Sequence, residues 1–113
     1  MQQEMVQIWK DEINKKWNNI PDWIKGLVCE VLDKYWKCIR EYPEESGCST
    51  TVYPIRLWYC SVDFLLEPYA DKRNFPSKSL KKIVEKHENF YLGEFCKSDG
   101  SCANTLRFYY KRP

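Results

Sequence analysis

Six cysteines, at positions 29, 38, 48, 60, 96 and 102, and a single histidine, His87, are the residues whose chemistry needs deciding first. Zinc sites are usually announced by paired cysteines two to four residues apart. No such pair occurs, so a metal site would have to gather distant ligands, for instance Cys48 and Cys60 with Cys96 and Cys102. No metal is expected. An even number of cysteines in a short chain points to disulfides. The N-terminus has no charged, apolar and small-residue succession, so no signal peptide is expected, and that favours reduced, buried thiols. Both readings stay open. Cys29 and Cys38 project from opposite sides of a helix and cannot bridge while it exists. Cys96 and Cys102 flank a turn and could bridge across a hairpin.

Nucleophilic catalysis needs a base beside the nucleophile and a group to orient it. Every such arrangement here must use His87, which sits between Lys86 and Glu88 at the border of an apolar helix face. A packing or capping role is expected for it. Glu44 and Glu45 adjoin Pro43 in a polar stretch and read as solvated. Gly26, Gly47, Gly93 and Gly100 are scattered singly, which leaves no loop to cradle a phosphate, and no cofactor is expected. The chain is expected to be non-enzymatic.

What remains is binding chemistry. The 113 residues hold five Trp, eight Tyr and five Phe. Trp and Tyr bring large contact area at low entropic cost and dominate interface hot spots. Trp23, Trp36, Trp58, Tyr69 and Tyr109 stand at element ends or polar-facing positions and are the candidates for a protein interface. Charge offers an alternative. With 18 Lys+Arg against 16 Asp+Glu the net charge is only +2, too little to announce a nucleic-acid binder. Yet residues 1–45 carry seven basic and nine acidic groups, and residues 46–113 carry eleven and seven. The excess lies in Lys72, Arg73, Lys78, Lys81, Lys82 and Lys86 and in the tail Lys111-Arg112. These could contact phosphates, with Phe108, Tyr109 and Tyr110 stacking on bases. Glu85 and Glu88 interrupt that helix face.

The elements that must position these residues follow from periodicity. Residues 3–19 form an amphipathic helix, with Met5, Trp9, Ile13 and Trp17 recurring every fourth residue. Pro21 separates it from a second helix over 21–41, whose stripe is Ile24, Leu27, Val28, Val31, Tyr35, Cys38 and Tyr42, widened by Leu32, Trp36 and Ile39. Residues 43–50 form a loop. Residues 51–60 have strand composition, and Pro54 makes this an edge strand or delays its start. Such an edge could pair with a partner or with a second copy of the chain. Residues 61–66 extend the strand past a bulge or form a helical turn before Pro68. A third helix covers about 78–89.

Residues 90–96 and 102–111 form a terminal hairpin around Asp99-Gly100. A five-residue loop would set Leu92 opposite Leu106, Phe90 opposite Phe108 and Cys96 opposite Cys102. A two-residue turn would set Tyr91 opposite Phe108 and Phe95 opposite Asn104. The first matches apolar partners better.

Helices first and strands late predict an α+β domain spanning 1–113: two N-terminal helices, a central strand, a third helix and a C-terminal β-hairpin forming a small antiparallel sheet. No apolar run reaches the roughly 18–20 residues of a spanning helix, so no membrane is expected, and the host cytoplasm is the expected compartment. No family motif is visible. The composition resembles that of many small virus- or mobile-element-encoded proteins, being short, rich in Lys, Glu, Trp and Tyr, and poor in Gly. That resemblance implies an inhibitor that binds and blocks a host protein, defence nucleases included.

Overall fold

Gln2–Lys16 is the first helix, α1. Glu4 lies in its first turn and Lys15 and Lys16 in its last, each opposing the helix dipole. The turn that follows is closed by the Ile20 N–H donating to the Trp17 carbonyl at 3.1 Å. Pro21 is extended (φ −57°, ψ 146°) and stands just outside the second helix, α2 (Asp22–Tyr35). Its carbonyl accepts from the N–H groups of Ile24 and Lys25. A single 3-10 turn, Trp36–Cys38, ends this segment. Helix is lost well before residue 41 because the backbone finds other partners. Ile39 bridges to Leu66, the Arg40 N–H donates to the Leu65 carbonyl, and the Cys38 carbonyl accepts from Glu67.

This is a computed structural model, and it describes residues 2–40, 52, 54–67, 77–97 and 104–111, with the side chains of residues 2, 3, 77, 94–97 and 104 left out. Tyr69, Lys72, Arg73, Arg112, Cys48, Cys102, Tyr42 and the 43–50 loop lie outside the described residues.

The architecture is α+β, with three helices and a four-stranded antiparallel sheet. The strands are β1 (Ile55–Leu57), β2 (Ser61–Leu66), β3 (Phe90–Lys97) and β4 (Asn104–Tyr110), and helix α3 (Ser77–Lys86) joins β2 to β3. Their order in the sheet is β1-β2-β4-β3. The single strand expected over 51–60 is therefore corrected. The chain turns at residues 58–60, with the Trp58 N–H donating to the Ser61 carbonyl at 2.8 Å, and returns as a separate strand. Residues 61–66 are neither an extension past a bulge nor a helical turn. Pro54 precedes β1 at the sheet edge, where its missing N–H costs no ladder bond.

Both hairpin registers expected from sequence are also corrected. Phe90 pairs with Tyr110, Tyr91 with Tyr109 and Leu92 with Phe108. A bulge between Leu92 and Phe95 then shifts the register, so Phe95 pairs with Leu106 and Cys96 with Thr105. Cys96 is thus not opposite Cys102. A bulge adds one residue to one strand, which no count of turn residues reveals.

All three helices cover one face of the sheet. Val6, Trp9, Ile13 and Trp17 of the first segment, Ile24 to Tyr35 of α2, and Leu80 and Ile83 of α3 form one cluster with Ile55, Val62, Phe64, Leu66, Phe90, Leu106, Phe108 and Tyr110. Side chains alternate along a strand. The residues between these sheet positions therefore project to the opposite face, which is helix-free among the described residues.

Candidate functional site

Two cross-strand rows cross the helix-free face. Trp58 follows β1 and is hydrogen-bonded to Ser61, Ser61 pairs with Tyr109, and Tyr109 pairs with Tyr91. Beside this aromatic row, Arg56 pairs with Asp63 and Asp63 with Arg107. The face spans four strands, about 14 Å at roughly 4.8 Å per strand.

The rows are tied together by Asp63, whose side chain is buried despite its charge (residue exposure 4%). Arg107 grips it with two bonds, Nε to Oδ1 at 2.7 Å and Nη2 to Oδ2 at 2.8 Å. The Trp58 Nε1–H donates to Oδ2 at 2.9 Å. A buried carboxylate is tolerable only with such partners. The hydrogen bonds to Asp63 raise the Arg107 pKa above its ordinary value, so the guanidinium stays charged. Its Cζ also stands 5.9 Å from the centre of the Tyr109 ring, a cation–π distance.

Tyr109 and Tyr91 stack on each other, with ring centroids 5.4 Å apart and planes 20° from parallel. Gly93 makes room for this. A Cβ there would lie 2.6 Å from Tyr109 Cε2 and 2.9 Å from the Arg107 carbonyl oxygen. The Trp58 main chain is fixed from the other face, where the Tyr110 hydroxyl donates to its carbonyl. Even so, Trp58 and Tyr91 each remain 50% exposed, and Tyr59 in the adjoining turn is 74% exposed. The result is a set of held aromatic rings, exposed at Trp58 and Tyr91 and half-buried at Tyr109, with two arginines beside them.

Of the interface candidates, Trp58 and Tyr109 meet on this face. Trp23 does not. It is half-buried on the helical side, edge-on to Phe90 at 5.4 Å and to Tyr110 at 5.6 Å. Trp36 is also half-buried there against the core, with Lys37 Nζ 5.5 Å from its ring. Tyr91, Tyr59, Arg56, Asp63 and Arg107 belong to the site although sequence reasoning passed them over. Tyr91 would have followed from the correct hairpin register. Asp63 and Arg107 are 44 residues apart, and nothing local couples them.

The lysines of α3 do not join this surface. Lys78, Lys81, Lys82 and Lys86 are exposed on α3, which packs on the helical side through Leu80 and Ile83. Phe108 and Tyr110, expected to stack on bases beside Tyr109, are instead buried in the core. Lys111, just past β4, is exposed.

His87 packs at the end of α3, and its side chain caps no backbone group among the bonds seen there. Its N–H donates to the Ile83 carbonyl, its carbonyl accepts from Phe90, and its ring stands edge-on to Phe90. Its Nε2 is 3.0 Å from Glu30 Oε1, and Lys86 and Lys34 reach the same carboxylate at 3.2 and 3.4 Å. Burial alone would raise the Glu30 pKa. The hydrogen bonds from His87, Lys86 and Lys34 outweigh it and hold that carboxyl below its usual range. The neighbouring cavity, about 180 Å³, is lined by Trp23, Lys86, His87, Glu88, Asn89 and Phe90, with no hydroxyl or thiol nucleophile among the described residues.

Cys29 and Cys38 are half-buried thiols and Cys60 is an exposed one. Burial raises the pKa of Cys29. Among the described residues, no cluster of three or more metal-ligating side chains occurs, and no helix is long and apolar enough to cross a membrane. No protein-family model matches the chain, and no curated protein or solved structure matches it.

Proposed function

We propose that this protein is a non-enzymatic interaction module that binds another protein through the helix-free face of its sheet. The observation that carries the reading is the row of Trp58, Tyr109 and Tyr91 across the sheet, with Trp58 and Tyr91 exposed and Tyr109 half-buried between them. Trp, Tyr and Arg are the residue types whose truncation most often costs more than about 2 kcal/mol at an interface. Here they are also held in advance by Asp63, by ring stacking and by backbone bonds. Little rotamer freedom is left to lose on binding. The activity proposed is blocking: covering a host protein's surface needs a rigid, adhesive face and no chemistry.

A second reading rests on the same rings. Flat aromatics beside arginines on an open sheet also suit stacked bases. Asp63 neutralises one of the two arginines, and the α3 lysines lie on the other side, so the electrostatic drive for nucleic acid is weak.

The test is affinity capture from lysate of the host cell, with the bound species identified by mass spectrometry. The wild type is compared with a Trp58→Ala/Tyr91→Ala double variant, both shown to be folded. The reading predicts a stoichiometric protein that the variant fails to retain. Equal capture by both proteins, or capture of nucleic acid alone, contradicts it.

A further inference from the structure

The two edges of the sheet are unlike. β1 is three residues long, is preceded by Pro54 and carries Arg56 at its centre. Short length, proline and charge are the usual devices that stop an edge from pairing. β3, at the other edge, has eight residues, and from Phe90 to Gly93 it carries no charge. Among the described residues no strand pairs with its outer side.

The backbone groups on that side can be named. The Asn89 carbonyl accepts from the Lys111 N–H at 3.4 Å, so the main chain of residue 89 faces β4. Direction alternates along an antiparallel strand. Tyr91 therefore faces β4, while Phe90 and Leu92 face outward. The Phe90 N–H is taken by the His87 carbonyl. The Phe90 carbonyl and the Leu92 N–H and carbonyl remain at the edge. The side chains here are incompletely covered on both faces. Tyr91 is 50% exposed on the helix-free face, and Leu92 is 38% exposed although it projects to the core face beside Phe108.

The geometry points to a second copy of this chain as the occupant, paired antiparallel along β3 about a two-fold axis at Tyr91. That axis sets Phe90 opposite the partner's Leu92, and Leu92 opposite the partner's Phe90. Both pairs are apolar and on the core face. Each Leu92 N–H donates to the partner's Phe90 carbonyl. Tyr91 meets the partner's Tyr91 on the helix-free face, so the two aromatic rows become one continuous row. No residue from 89 to 93 is charged, so like charges meet only beyond the pairing, where Glu88 lies opposite the partner's Glu94, and a net charge of +2 gives little overall repulsion. The inference stands independently of the proposed function. It would give that function two side-by-side faces and the avidity of a bivalent binder.

The bulge after Leu92 limits pairing to about residues 89–93. So short an interface buries less than the roughly 1,200 Å² of a standard stable complex, and a weak, rapidly exchanging dimer is expected. Sedimentation equilibrium of the wild type between about 0.02 and 1 mM, a range suited to such weak contacts, should show the mass rising from 13.7 kDa towards twice that value. Leu92→Lys should stay monomeric throughout. Ile8→Lys, which changes a more exposed apolar residue on α1, should behave as wild type. In the wild type, amide exchange at Leu92 should slow as concentration rises, a readout that needs no variant. Two results overturn the inference. One is a monomer at every concentration, even if another protein protects the Leu92 amide. The other is a dimer that Leu92→Lys leaves intact.

Discussion

Asp63 decides how the exposed face is built. Its carboxylate is buried, and its three bonds reach Trp58 and both donor nitrogens of one side of Arg107. Removing it leaves a guanidinium and an indole N–H without their acceptor. Asp63→Ala should therefore destabilise by about 2 kcal/mol, below the roughly 3–5 of a fully buried pair because Arg107 is a third exposed. Trp58→Ala, at a half-exposed ring, should cost under about 1.5 kcal/mol, and Trp9→Ala, in the core, about 3–5. Urea unfolding of the three variants checks this order. The thiols offer a second check. Burial raises the Cys29 pKa and restricts access, whereas Cys60 is exposed. Alkylation with iodoacetamide at pH 8 should label Cys60 before Cys29, because the thiolate is the nucleophile and burial disfavours it at Cys29. Faster labelling of Cys29 would contradict the placement of α2. Core residues such as Trp9, Ile13 and Val31 were legible from helical periodicity alone. Asp63 was not, since its burial depends on a partner in a strand still to come.

Between elements, two joints carry the structure. Gly93 lets the Tyr109 ring lie across β3. Gly93→Ala would place a methyl against that ring and against the Arg107 backbone, so strand and ring must separate. A cost of about 1–3 kcal/mol is expected, as for overpacking, with the aromatic row disturbed. Thermal unfolding and the Tyr91–Tyr109 ring shifts in NMR measure both effects. The second joint is Glu30, which ties α2 to α3 through His87 and Lys86 and holds Lys34 of its own helix. Its pKa is lowered in the folded state. The stabilisation is thus fully present above the unfolded carboxylate value of about 4.3 and is lost as pH falls through the lower folded value. Glu30→Gln should flatten the acid side of the urea midpoint against pH and leave its form near neutrality unchanged. An unchanged acid limb would contradict the pairing. The existence of each helix was readable in the chain. The β1–β2 turn was not, because strand-forming residues run through it without a Gly or Asn. The hairpin register was hidden by the bulge.

At the scale of the whole molecule, the α+β arrangement follows from a simple imbalance. Among the described residues, three helices cover one side of the sheet and none covers the other. Many of the aromatics are consumed by the core, Trp9, Trp17, Phe64, Phe108 and Tyr110 among them, and Trp23 and Trp36 rest against it. Trp58, Tyr59, Tyr91 and Tyr109 lie on or beside the uncovered side. Composition could show the surplus of rings but not its division between two faces, which is fixed by strand pairing. The basic lysines of α3 and the aromatic face lie on different sides, so the two binding readings separate cleanly. The direct measurement is calorimetric affinity for the captured partner, for the wild type, for Tyr91→Ala/Tyr109→Ala and for the Lys78→Glu/Lys82→Glu/Lys86→Glu variant. The account predicts that the tyrosine variant weakens binding by about 30-fold or more, the worth of one hot spot, while the charge reversal leaves it within about twofold. Binding that survives loss of both tyrosines but collapses on charge reversal would contradict it.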